Sequence, residues 1–298
     1  MTAPRQVLPG VTYLVTRRCF QRMFLLRPSP ATNAIFLYVL AVAARRYGIL
    51  VHAFCVMSNH FHLVVTDVDA RLPEFEQYLN ALVARAVNAS LGRWESFWAP
   101  GSYSAVVLAS PQDVVEKAAY VLTNPVKAGL VASAQAWPGL WSAPESIGAG
   151  ALRAARPERF FRRSGPMPEE AQLALVPPPG FESAEAFRAQ LVDAIAAREH
   201  ESADAHARSG TGFLGARRVL AQRPTGRPPV PAPMRGLRPR VAARDPWKRI
   251  EALGRLAGFL RAYREAWRAR RAGRADAVFP AGTYLLRVAH GVPCAGVG

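Results

Sequence analysis

The chain has 298 residues, room for one large domain or two small ones, and half of it is hydrophobic, so a substantial core can be buried. Its longest apolar run, Ala34 to Ala44, is too short to cross a bilayer, and the opening Met1-Thr2-Ala3-Pro4-Arg5 leads into no apolar leader. The formal net charge is +17, and the three scattered cysteines (Cys19, Cys55, Cys294) form no CxxC pair and no even framework. A disulfide scaffold and a membrane partner are therefore not expected, and a reducing, cytoplasmic setting is.

Residues 11–17 alternate as a β-strand. Thr32 or Asn33 offers an N-cap for a helix from about Ala34 to Tyr47, with Gly48 as its stop. Residues 49–56 and 60–66, rich in β-branched and aromatic side chains, read as two strands joined by a tight turn at Ser58-Asn59. Leu72 to Leu91 carries Phe75, Leu79, Leu82, Val83 and Val87 at helical spacing, and Gly92 ends it. A short strand over 103–108 precedes a third helix from Pro111 to Leu122, entered through Ser110 as cap. The order β-α-β-β-α-β, plus one helix, predicts an α+β fold. It is the ferredoxin-like antiparallel sheet, with helices on one face and the other free to carry a site.

Beyond about residue 135 the texture changes. Residues 137–142 and the Gly/Ala-rich stretch after them read as an extended closing segment, and 182–206 as a charged helix. Pro224 to Pro239 holds six prolines and reads as a linker or a wrapped extended segment. A last helix is expected over 247–271, with Trp247, Ile250, Leu253, Ala257, Leu260 and Trp267 on or near one face, and 279–287 as a turn and final strand. Residues 1–150 hold 12 Lys/Arg against 8 Asp/Glu, whereas 207–298 hold 19 against 4. A basic segment of that density suits a polyanion, nucleic acid first.

Two patterns carry chemistry. His60 and His62 stand two apart on a predicted strand, so they share a face while Phe61 points into the core. Two neutral imidazoles side by side make half of a metal site, though two partly exposed surface histidines fit the same spacing. Tyr120 and Asn124 stand at i and i+4 on one helix face, with Pro125 ending that helix. Alone, they also suit a packed ring and a capped helix end. Tyr13, Tyr38, Tyr78 and Tyr103 lack an i+4 amide followed by proline.

Together the two patterns change weight. Met57-Ser58-Asn59-His60-Phe61-His62-Leu63 fits an MxNHxH strand, and residues 120–130 (YVLTNPVKAGL) fit a YxxxNPVxAGL helix end. In both, over about residues 1–145, the chain resembles the single-tyrosine HUH transposases of the insertion-sequence-200-like superfamily, within it the REP-associated tyrosine transposases. The resemblance divides the chain into a catalytic domain, 1–145, and a basic Pro/Arg-rich extension, 146–298, with helices near 182–206 and 247–271. It implies an enzyme that nicks and rejoins single-stranded, hairpin-forming DNA. Tyr120 would be the nucleophile, giving a 5′-phosphotyrosine. His60, His62 and Asn124 would hold a divalent metal, Mg²⁺ or Mn²⁺, as suits mixed N/O ligation without thiolate. DNA contacts are expected from Arg17, Arg18 and Lys127, and from Arg261, Arg264 and Arg268 on the last helix, whose apolar stripe is expected to dock on the catalytic domain. A homodimer is a further partner to be expected. The alternative is a domesticated hairpin-binding regulator that does not cut. A zinc hydrolase is weaker, for want of HExxH or a third histidine at ligand spacing.

Overall fold

The first strand, β1 (Val11–Arg18), alternates as its sequence does, with Tyr13 and Val15 buried on one face. The computed structural model describes residues 4–229 and 239–296. Helix α1 (Pro30–Tyr47) begins four residues before the expected start. Ser29, not Thr32 or Asn33, is the cap: its Oγ accepts from Thr32 N at 3.1 Å, and Pro30 takes the first helical position. Gly48 closes the helix at φ 64°, a conformation that favours glycine.

β2 (Ile49–Met57) and β3 (His60–Asp67) then form a hairpin, followed by α2 (Leu72–Ser90), β4 (Ser104–Leu108) and α3 (Pro111–Leu122). A single turn, α4 (Asn124–Lys127), follows α3 after a break at Thr123. The helix therefore ends at Leu122, three residues before Pro125, and the break falls at Thr123 (φ −90°, ψ 5°), while Asn124, the residue preceding proline, already opens α4.

The sheet order is β2-β3-β1-β4, antiparallel throughout as predicted. Phe61 points to the face covered by α1 and α2, where its ring lies 5.2 Å from Phe36 and 5.7 Å from Trp98. The second face carries His60 and His62, with Arg18 and Thr16 opposite them in the β1–β3 register. Helix α3 lies across part of this second face.

The later chain adds to the same body. A hairpin of β5 (Ala151–Ala155) and β6 (Glu170–Ala174) packs against α1, and its alanine-rich strands gave the sequence little signal. Helix α5 (Ala184–Ser209), capped by Ser183, packs outside α3. Short α6 (Ala216–Leu220) follows. Strand β7 (Val241–Ala242) joins the sheet parallel to β4, so the five-stranded sheet is mixed. Phe187 and Leu191 of α5, Val219 of α6 and Leu173 of β6 belong to the same core as Phe36 and Phe54, so burial is continuous across residue 145. On its outer side β2 bonds to the chain itself: Val56 N to Leu140 O, Ser142 N to Phe54 O, and Val176 N to Val51 O, at 2.8, 2.9 and 3.1 Å.

The long helix α7 (Pro246–Arg271) uses another face than expected. Ala252, Phe259 and Ala266 are its buried residues, and with Tyr263 and Trp267 its C-terminal half packs on Phe279 and Val292. Trp247, Ile250 and Leu253 of the expected docking stripe point outward, with Trp247 79% exposed. Residues 279–287 are also not a final strand. Phe279 makes one bridge to Cys294, and helix α8 (Leu285–His290) follows. Of the expected proline-rich linker over 224–239, residues 230–238 lie outside the described residues.

Candidate active site

The β2–β3 turn fixes the first half of the site. Asn59 Nδ2 donates to Arg22 O at 3.2 Å, so its Oδ1 is free to accept from His60 Nδ1 at 2.6 Å. The backbone of the turn is held too: Cys19 N donates to Asn59 O and Leu26 N to Ser58 O, at 2.8 and 2.9 Å. With its Nδ1 proton engaged, His60 keeps a lone pair on Nε2. His62 is arranged in parallel, with Nδ1 2.8 Å from Thr16 Oγ1 and Nε2 accepting from Asn124 Nδ2 at 3.1 Å. The imidazole centres lie 4.7 Å apart, nearly perpendicular.

Both rings are neutral. Burial holds His60 well below the usual histidine range, aided by His62, Arg18 and Arg22. Burial, with Arg18, holds His62 at about 3. A neutral imidazole whose Nδ1–H is tied back to an oxygen presents a fixed Nε2 lone pair, which is how a metal ligand is oriented.

Helix α3 supplies the second half. Ser110 Oγ accepts from Asp113 N at 3.3 Å and Pro111 opens the helix. At its other end Thr123 N and Oγ1 both return to Ala119 O. This termination brings two side chains to His62: the Tyr120 ring, 5.6 Å away between centroids, and the buried Asn124 amide. Lys117 and Lys127 hold their ammonium groups 5.9 and 5.7 Å from the Tyr120 ring centre. The protein has only three lysines, so two of them flank this tyrosine.

Two imidazole nitrogens and an amide on one buried wall suit a hard or borderline divalent cation. Among the described residues no group of three or more His, Cys, Asp or Glu side chains could hold a metal, so a thiolate or all-carboxylate centre has no candidate there.

No protein-family model matches this chain, and none of the curated proteins compared with it does. Among solved structures it is similar to a REP-associated tyrosine transposase bound to a REP hairpin. That similarity covers 49% of this chain and 84% of that one, at 18% identity and a TM-score of 0.41. It is also similar to a candidate transposase from Deinococcus radiodurans R1, over 36% of this chain and 85% of that one, at 19% identity and a TM-score of 0.29.

The expected contact residues separate into two groups. Arg18 lies opposite His60 and is exposed on the site face, and Lys127 flanks Tyr120. Arg17 does not face the site. One residue along the strand from Arg18, it points to the α2 side, where Nη1 donates to Gly101 O at 2.8 Å and the guanidinium lies over Trp98. Arg261, Arg264 and Arg268 are exposed on α7. Sequence reasoning passed over Asn59, Thr16 and Lys117. Asn59 lies inside the histidine motif and Lys117 three residues before Tyr120, so both were findable; Thr16 needed the strand register.

Proposed function

We infer that this chain is a DNA-nicking and strand-transfer enzyme of the transposase kind, acting on single-stranded, hairpin-forming DNA through Tyr120. The observation that carries this reading is the convergence of Tyr120, Asn124 and two neutral imidazoles on one sheet face, from positions some sixty residues apart. His60, His62 and Asn124 would hold Mg²⁺ or Mn²⁺, which when bound would polarise the scissile phosphate and offset the charge that builds there.

The chain's own residues do the rest. The Tyr120 oxygen attacks phosphorus in line, a phosphorus–oxygen bond forms, and the bond to the 3′ oxygen breaks. The phenolic proton leaves to solvent, and the departing 3′ oxygen takes one up as a free hydroxyl. Lys117 and Lys127 attract the phosphate to the tyrosine and oppose its negative charge. The Tyr120 ring is held by its helix and by His62, so the attack starts from an oriented group. The phosphotyrosine ester keeps the energy of the cut bond, and a later 3′-hydroxyl reverses the step to join strands.

Incubation of the purified protein with a hairpin-tailed oligonucleotide and Mn²⁺ should leave a denaturant-resistant protein–DNA adduct. Tyr120→Phe should abolish it, and His60→Ala with His62→Ala should reduce cleavage at least ~100-fold, on the scale of losing one catalytic group of this kind. An adduct formed by Tyr120→Phe would overturn the nucleophile assignment. Metal-independent hairpin binding with no adduct from the unaltered protein would favour the regulator instead.

A further inference from the structure

Leaving α5, the chain from Leu214 to Arg227 runs past both halves of the site. Leu214 N and Gly215 N donate to Gly129 O and Leu130 O, just after α4, at 2.8 and 2.9 Å. Val219 of α6 is fully buried. Leu220 O accepts from Arg27 Nη1 at 2.6 Å, and Gln222 Oε1 accepts from Ser58 Oγ, in the β2–β3 turn, at 2.6 Å. Phe24 N then donates to Gly226 O at 2.9 Å. A Cβ at Gly226 would stand 3.2 Å from the Phe24 ring and 3.0 Å from Arg223 O, so glycine lets the strap lie flat there. The segment is thus fastened to the loop after Asn124 and to the turn before His60.

Its charge is one-sided. Arg217, Arg218, Arg223 and Arg227 are all exposed, and none forms an ion pair among the described residues. No Asp or Glu occurs between Asp204 and Asp245. Arg223 follows Gln222, whose side chain meets the turn that carries His60, and Arg18 lies opposite His60 in the β1–β3 register. Exposed guanidinium groups held on a fixed backbone beside a phosphoryl-transfer centre are suited to phosphate oxygens.

We propose that residues 215–229 form a fixed basic wall of the substrate cleft, and that Arg223 and Arg227 take backbone phosphates of the unpaired DNA strand flanking the scissile bond. The proposal rests on the DNA-processing reading of the site. In the full-length protein, Arg223→Gln with Arg227→Gln is compared with wild type by fluorescence anisotropy on an unpaired oligonucleotide and a blunt duplex, at several salt concentrations. Removing one arginine–phosphate pair lowers the salt slope by about 0.7 for a single strand, so a drop of about 1.4 and roughly tenfold weaker binding at low salt are expected, with a smaller change on the duplex. An unchanged slope overturns the proposal, as does an equal loss on the duplex. Should the paired substitution lower the melting temperature, each single variant carries the same test with half the slope change. Binding is read here without cleavage, so an active Tyr120→Phe would remove the nucleophile assignment and leave this result standing.

Discussion

Single hydrogen bonds decide what the two histidines can do. Each Nδ1 is tied to an oxygen, Asn59 Oδ1 or Thr16 Oγ1, and this leaves the Nε2 atoms as the lone-pair donors. Thr16→Val keeps the shape of the side chain and removes that anchor. It should weaken Mn²⁺ binding about 10–100-fold, as loss of a supporting partner does at other histidine sites, measured by titration calorimetry on DNA-free protein. Unchanged affinity would mean that Thr16 does not orient His62. The same residue marks the limit of sequence reading. His60, His62, Tyr120 and Asn124 were legible because their spacings are local, whereas Thr16 meets His62 only through a strand pairing across 46 positions. Arg17 was misplaced for a related reason: in a strand, one position decides the face, and the charge of a residue does not report it.

At the scale of elements, helix α3 is the part on which the reading depends, since it carries Tyr120 over the sheet. Its capping by Ser110 was visible in the sequence, and Ser110→Ala should cost about 1 kcal/mol of stability by urea denaturation. The outer face of α3 was less visible, because the partner that covers it, α5, begins more than sixty residues later. Phe187 of α5 is fully buried in the common core. Phe187→Ala should cost about 3–5 kcal/mol, and a midpoint unchanged in urea would show that α5 does not brace α3. Helix α7 shows the complementary failure. Its Trp247, Ile250 and Leu253 promise an apolar stripe, yet the helix buries Ala252, Phe259 and Ala266. In a helix this rich in alanine, glycine and arginine, periodicity alone does not choose between faces.

For the whole molecule, two buried groups set opposing responses to pH. The β2 bulge at His52 places its ring between Val176 O, to which Nδ1 donates, and Thr66 Oγ1, which donates to Nε2. Burial holds His52 at about 4 against an ordinary 6.5, so the unfolded chain binds the proton first. Its contribution is present above about 6.5 and lost as pH falls toward 4, by about 3 kcal/mol in all. Glu76, fully buried in α2 with Asn80 as its partner, is pushed up to about 7 from 4.5 by burial. The folded state then holds the proton longer, so this contribution is present below about 4.5 and lost as pH rises through 7, by a similar amount. In wild type the two slopes offset each other between about pH 4.5 and 6.5. Glu76→Gln should therefore make stability rise more steeply with pH across that window, and His52→Asn should make it fall. Urea midpoints against pH that keep the wild-type shape in both variants would refute the pair.

Both margins of the sheet are partly bordered, β2 by residues 140–142 and 175–176 and the end of β4, at Val107 and Leu108, by β7. A bare strand edge is the usual template on which a second chain adds by β-augmentation, and these segments shorten the edge that each margin presents. Adding a second sheet at β2 would first require displacing residues 140–142 and 175–176 from it.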